Sequence, residues 1–198
     1  MEISNYELIR RRFKETIQVK NHILDDENII NCINQLSLDI CSIIENGGKN
    51  LICGNGGSVS DALHIAGELI GRFEKERRAY SAIALNSDVA TITAIANDYG
   101  YEEIFSRQVK GLRQERDLLI GISTSGNSAN IINVFYKAKE IGGKTALLSG
   151  RDGGKLKGIA DYAIVVPSNV TACIQESHLV IYHIMCKIIE RVLVERNA

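Results

Sequence analysis

From Gly48 onward the chain alternates short apolar runs with longer segments of helical period, and this alternation limits the fold more than any other feature. Leu51 to Cys53, Ser81 to Leu85, Leu118 to Ile122, Lys144 to Ser149 and Tyr162 to Val166 read as strands. Between and after them, Ser58 to Leu69, Asp88 to Ala96, Glu102 to Leu112, Ala129 to Ile141 and Cys173 to Glu195 carry apolar residues at helical spacing. Strands separated by helices form a parallel sheet, because a parallel partner is reached only by a crossover. Pro167, the only proline, follows the last strand and ends it before the closing helix.

Ahead of that core, Leu8, Ile9, Phe13, Ile17, Val19 and Ile23 give one amphipathic helix over Tyr6 to Leu24. Ile29, Ile30, Ile33, Leu36, Ile40, Ile43 and Ile44 give a second, capped by Asp25 or Asp26 and stopped at Gly47-Gly48. The expected architecture is a single domain over 1–198, with an N-terminal α-hairpin over 1–48 and an α/β core over 49–198. Two long amphipathic helices offer more apolar surface than one sheet face needs, which points to self-association.

The chain has 198 residues, enough for one domain with a sizeable core, and its formal net charge is -1. A charge this near zero supplies no broad field for a phosphate backbone, so nucleic acid is not an expected partner. Five widely spaced cysteines in apolar sequence read as reduced, buried thiols and favour the cytoplasm. The N-terminus lacks a signal-peptide core, and no stretch stays apolar for the roughly 18 residues a membrane span requires, so no membrane partner is expected.

Two loops lie where ligands bind in an open parallel sheet, beyond the carboxyl ends of the strands. The first, Gly54 to Ser58, is rich in glycine and enters a helix that carries His64 and Glu68. Residues four apart lie roughly 40° apart around a helix, so one ligand held by the loop can meet both. An imidazole and a carboxylate in this setting make a candidate metal site or a candidate acid–base pair, against the commoner role of such a pair as a weak surface contact. The second loop, Ser123 to Ser128, supplies hydroxyls and free backbone N–H groups at a helix N-terminus, a neutral cradle for phosphate. Its plainer alternative is a turn capped by Ser128 with the other hydroxyls in water. Neither loop has the lysine-bearing P-loop spacing or the dinucleotide fingerprint, so the ligand is smaller than those. A further polar cluster, Gln175, Glu176, His178 and His183, stands on the closing helix. His178 reads as a partly buried or surface histidine. Gln175 and His183 are about 12 Å apart along that helix, so they reach one ion only by leaning together or from different subunits.

Taken in order, CGNGGS, HIAGE, AIAND, GISTSGNSAN, SGRDGGK and IQESHLVIYH resemble the sedoheptulose 7-phosphate isomerases (phosphoheptose isomerases) of the sugar isomerase, or SIS, domain superfamily. The resemblance implies a three-layer α/β/α, flavodoxin-like fold, a homotetramer, and one zinc ion per subunit. It implies that Asn55, Gly56, Gly57, Asn97 and Asp98 touch the sugar and that Ser123, Thr124, Ser125 and Ser128 hold the phosphate. It further implies that His64, Glu68, Gln175 and His183 bind zinc, Glu68 and Gln175 also meeting substrate and Glu68 and His183 forming the acid–base pair. The implied reaction converts D-sedoheptulose 7-phosphate to D-glycero-D-manno-heptose 7-phosphate for the heptose of lipopolysaccharide core or capsule. Such an isomerisation moves a proton between adjacent carbons through an enediol, and needs a carboxylate base and an acid for the oxygens.

Relatives in the same superfamily are tetrameric binding proteins without enzymatic activity, for instance one that associates with a bacterial replication initiator. The joint presence of His64, Glu68, Gln175 and His183 favours the enzyme. A sugar-phosphate-sensing regulatory domain ranks last, because no basic helix-turn-helix segment accompanies it.

Overall fold

The computed structural model describes residues 3–196. A five-stranded, wholly parallel sheet runs in the order β2-β1-β3-β4-β5. Its strands are β1 (Asn50–Gly54), β2 (Ala82–Ala84), β3 (Leu118–Ser123), β4 (Thr145–Gly150) and β5 (Tyr162–Val166), each within one or two residues of the expected run. This is the flavodoxin-like order, whose switch point falls between β1 and β3. The loops after those two neighbouring strands are the glycine-rich and serine-rich ones.

Helices cover both faces. Alternate residues of each strand feed opposite layers, as the pleat requires: Ile52, Leu118, Ile120 and Ile122 join one core, whereas Leu51, Cys53 and Leu119 join the other. The first core is completed by α2 (Glu27–Glu45), α3 (Gly57–Ile70) and α8 (Thr171–Glu195), the second by α4 (Val89–Tyr99), α5 (Ser106–Leu112), α6 (Ala129–Ile141) and α7 (Gly154–Lys157). Each fully buried Leu or Ile in these layers contributes about 1.5–3 kcal/mol.

Helix α1 (Asn5–Leu24) starts at a capping box in which Ser4 and Glu7 exchange hydrogen bonds, and Asp26 caps α2 by accepting the N–H of Asn28 at 2.9 Å. Val19 and Ile23 of α1 enter the first core beside α2, so the hairpin and the sheet share one interior. The rest of the α1 stripe, including Tyr6, Ile9, Phe13 and Ile17, is exposed.

Two local expectations need correction. The segment read as one helix over Glu102 to Leu112 breaks into a 3₁₀ turn, Tyr101–Glu103, followed by α5; buried Ile104 and Phe105 at the break anchor it in the second core. Between β4 and β5 the chain forms α7, too short for helical periodicity to reveal, and pins it through Leu156. All five cysteines are free, four buried and Cys32 half-buried. Among the described residues, no helix is long and apolar enough to cross a membrane.

Candidate active site

Helices α3 and α8 bring the candidate acid–base pair and three of the four candidate metal residues together within one chain. On α3, Asp61, His64 and Glu68 recur at three and four residues and so share a face. On α8, Tyr182 and His183 reach that face. His64 Nε2 lies 2.9 Å from Glu68 Oε1 and 3.4 Å from His183 Nε2. The ligand atoms of these three residues all lie within 4.8 Å of one another. Two imidazole nitrogens and a carboxylate oxygen converging in this way are a donor set suited to zinc.

Gln175, the fourth implied ligand, has no described contact with these three: it stands two turns before Tyr182 and packs its amide against the Gly57 backbone, where a Cβ on Gly57 would meet it. Gly56, at φ 56°, turns the chain into α3. Of the other residues expected to touch sugar, Asn55 exchanges amide hydrogen bonds with buried Asn130 at 2.8 and 2.9 Å and accepts the Tyr101 hydroxyl at 3.0 Å. These bonds tie the glycine-rich loop to the first turn of α6. Asn97 and Asp98 lie exposed in the last turn of α4, and the Asn97 amide donates to Asp98 at 2.8 Å. Neither forms a described hydrogen bond to the His64 cluster or to the serine-rich loop.

In that loop the hydroxyls of Ser123 and Ser128 are 3.0 Å apart, and Ser125 Oγ accepts the Asn127 N–H at 3.2 Å. Ser128 occupies the N-cap position of α6, but its hydroxyl does not cap the helix, contrary to the plain capped-turn alternative. The Ala129 and Asn130 amides are left open to an anion, while the Ile131 N–H donates to the Ser128 carbonyl at 3.1 Å. Asn127 and the backbone of Gly126 also bond to α7, through the Lys155 and Leu156 N–H groups, and so brace the loop from behind.

His178 is fully buried rather than partly exposed: its position on α8 faces the sheet, where Nε2–H donates to the Ser149 carbonyl at 3.0 Å. Burial pushes its pKa down to about 4 despite that bond, so it is a neutral core histidine.

Three contributors escaped the sequence reading. Tyr182 is 1% exposed and places its hydroxyl 3.0 Å from His64 Nδ1. Asp61 is also buried, and desolvation raises its carboxyl to about 6 although His64 and the Tyr182 hydroxyl favour the charged form. The spacing of Asp61, His64 and Glu68 was the available signal for Asp61. The third is the segment 71–80 between α3 and β2, a strap fastened by Arg77 and Glu190. The Glu190 carboxylate accepts the N–H groups of Phe73, Glu74 and Lys75 and Nε–H of Arg77, all at 2.8–3.0 Å. Burial works to raise its pKa, but these donors outweigh it and the pKa is lowered. Arg77 in turn donates to the Glu68 carbonyl at 2.7 Å and the Leu69 carbonyl at 3.0 Å, satisfying the end of α3, while Phe73 lies against the His183 ring.

Comparison with known proteins agrees with this arrangement. The SIS domain family profile matches residues 13–150. A phosphoheptose isomerase of Helicobacter pylori (strain HPAG1) is 57% identical over 154 residues, 78% of this chain and 80% of that protein. That of Sulfurimonas denitrificans is 48% identical over 183 residues, 92% of this chain and 94% of that protein. The solved structure of a phosphoheptose isomerase from Francisella tularensis superposes with a TM-score of 0.91 at 40% identity, covering 96% of this chain and all of that one. The chain belongs to the SIS domain family and, within it, to the phosphoheptose isomerases.

Proposed function

We propose that the chain is an aldose–ketose isomerase that interconverts D-sedoheptulose 7-phosphate and D-glycero-D-manno-heptose 7-phosphate in heptose biosynthesis. The observation that carries the reading is the convergence of His64, Glu68 and His183 across α8 and the helix that the glycine-rich loop enters at the switch point of the sheet. The serine-rich loop holds the phosphate through its hydroxyls and the open amides of α6, fixing one end of the sugar. The sugar's reacting end then lies along Asn55 to Gly57, toward the face of α3 that carries Glu68.

Glu68 Oε1 takes the proton from the carbon next to the carbonyl and returns it to the neighbouring carbon. His183 gives and recovers a proton at the substrate oxygens, with its ring held by Phe73 on one side and Tyr182 on the other. His64, Glu68 and His183 would hold zinc; Gln175 is assigned as a fourth donor by family resemblance alone. When bound, the ion would supply Lewis-acid polarisation of the substrate oxygens. Asn97 and Asp98 are assigned to the sugar by family resemblance alone.

Self-association as a homotetramer is supported by the exposed apolar stripe of α1, continued on α8 by Leu179, Val180 and Ile184. The product is assigned to surface polysaccharide, lipopolysaccharide core or capsule. The test is to incubate the purified protein with sedoheptulose 7-phosphate, with and without a chelator, and to follow aldoheptose phosphate. Conversion that the chelator stops supports both the activity and the metal; no conversion under either condition favours a non-enzymatic binding protein.

A further inference from the structure

We infer that Tyr182 and Asp61 form a hydrogen-bond brace that aims His64 Nε2 at Glu68 and His183 and thereby sets the affinity of this site for a divalent cation; the inference rests on the metal-assisted reading above. The His64 side chain is 40% exposed, so packing alone leaves its ring free to turn toward solvent. Opposite the Glu68 contact at Nε2, the ring is held by the Tyr182 hydroxyl, 3.0 Å from Nδ1. Tyr182 itself has no such freedom. It is 1% exposed within the first core, and its ring stands edge-on to both His64 and His183, with centroids 5.2 and 5.0 Å away.

A phenol suits this position because it both donates and accepts. With Nε2–H shared with Glu68, the bare Nδ1 accepts the Tyr182 hydroxyl. With Nε2 offered to a cation, Nδ1–H donates to the phenol oxygen, and the phenol proton needs another acceptor. Asp61 offers one: its Oδ2 is buried near that hydroxyl and has no hydrogen-bond partner of its own. Nδ1 therefore keeps the phenol as its partner whether or not Nε2 meets a cation. Asp61 stands one turn before His64 on α3, so the brace closes between two packed helices. Neither residue reaches the cluster of donor atoms, which makes both of them positioning residues.

The measurement is zinc affinity by competition with a chromophoric chelator, on wild type, Tyr182→Phe and Asp61→Ala. Loss of an outer hydrogen-bond partner of a metal-binding histidine costs about 10–100-fold in affinity, and that loss is expected for Tyr182→Phe. A double variant no weaker than Tyr182→Phe alone is expected, because Asp61 acts through the phenol. The visible spectrum of the cobalt-substituted protein should shift in Tyr182→Phe, a change that a general loss of packing does not produce. Wild type binding zinc beside a Tyr182→Phe protein of equal affinity overturns the brace and leaves the isomerase reading intact. Wild type taking up no zinc overturns the brace together with the metal-assisted part of that reading. Should Tyr182→Phe fail to fold, Asp61→Ala decides alone, with wild-type affinity overturning the inference.

Discussion

Glu68 and Glu190 lie on two helices packed against each other, and one guanidinium, Arg77, touches the backbone of the first and the carboxylate of the second. Their environments are nevertheless opposite. Glu190 has a side chain 3% exposed and accepts four hydrogen bonds, three from backbone and one from Arg77. Glu68 is 21% exposed and has one side-chain partner, the imidazole of His64. A carboxylate whose lone pairs are filled by fixed donors has no capacity left to take a proton from a ligand. One held by a single, exchangeable partner does. The same residue type thus serves as a fastener in one place and as a candidate base in the other, and the number of donors around it makes the difference.

The largest effect should come from Glu68→Gln. Losing the base lowers kcat by about 10²–10⁴-fold, with substrate binding largely spared, as single-turnover kinetics beside a binding titration would register. A near wild-type rate would break the contrast outright.

Glu190→Ala should act on the fold instead. It takes the only described carboxylate partner from the buried Arg77 guanidinium, leaving it backbone carbonyls alone, and takes the acceptor from three N–H groups, which costs about 3–5 kcal/mol, read by denaturant unfolding. A loss below about 1 kcal/mol, the range of an exposed pair, would mean that the strap is fastened elsewhere.

His178 extends the comparison to pH. With its folded pKa pushed down to about 4 from the usual 6.5, the unfolded chain binds a proton that the native chain refuses. The stability it contributes is complete above about pH 6.5 and is lost as pH falls toward 4. Asp61 works the other way, because burial raises its carboxyl to about 6 and the native chain keeps a proton there that the unfolded chain releases. Replacing His178 by Gln removes only the first effect. Wild type should therefore lose stability relative to His178→Gln by up to about 3 kcal/mol over that window; parallel curves would refute a neutral, proton-excluding His178.

The smallest effect is expected at the serine-rich loop. Ser125→Ala removes one phosphate hydrogen bond, worth about 1 kcal/mol, and should raise KM several-fold at unchanged kcat. A change confined to kcat would place Ser125 in the chemistry rather than in the grip on phosphate.

Much of this arrangement is legible in the chain itself. The period-2 and period-3.6 patterns locate β1 to β5 and most helices to within a few residues, because each strand or helix must bury one side of itself whatever its neighbours are. The glycine-rich and serine-rich loops, and the facing of His64 and Glu68, are equally local properties. The break before α5 and the single turn of α7 are not legible, since they depend on where Phe105 and Leu156 find room in the second core. The burial of His178 is hidden for the same reason: its neighbours on α8 do not reveal which side of the helix meets the sheet.

The sequence by itself determined most of the element order, the parallel sheet, the two ligand loops and the residue types available for acid–base chemistry. Tertiary structure alone decided that His183, 119 residues after His64, comes within 3.4 Å of it. The packing of α3 on α8 likewise placed the Tyr182 hydroxyl behind that histidine and tied Arg77 to both Glu68 and Glu190. Local pattern fixes which face a helix buries, but the meeting of two buried faces far apart in sequence depends on how the whole core packs, and the candidate site lies at such a meeting.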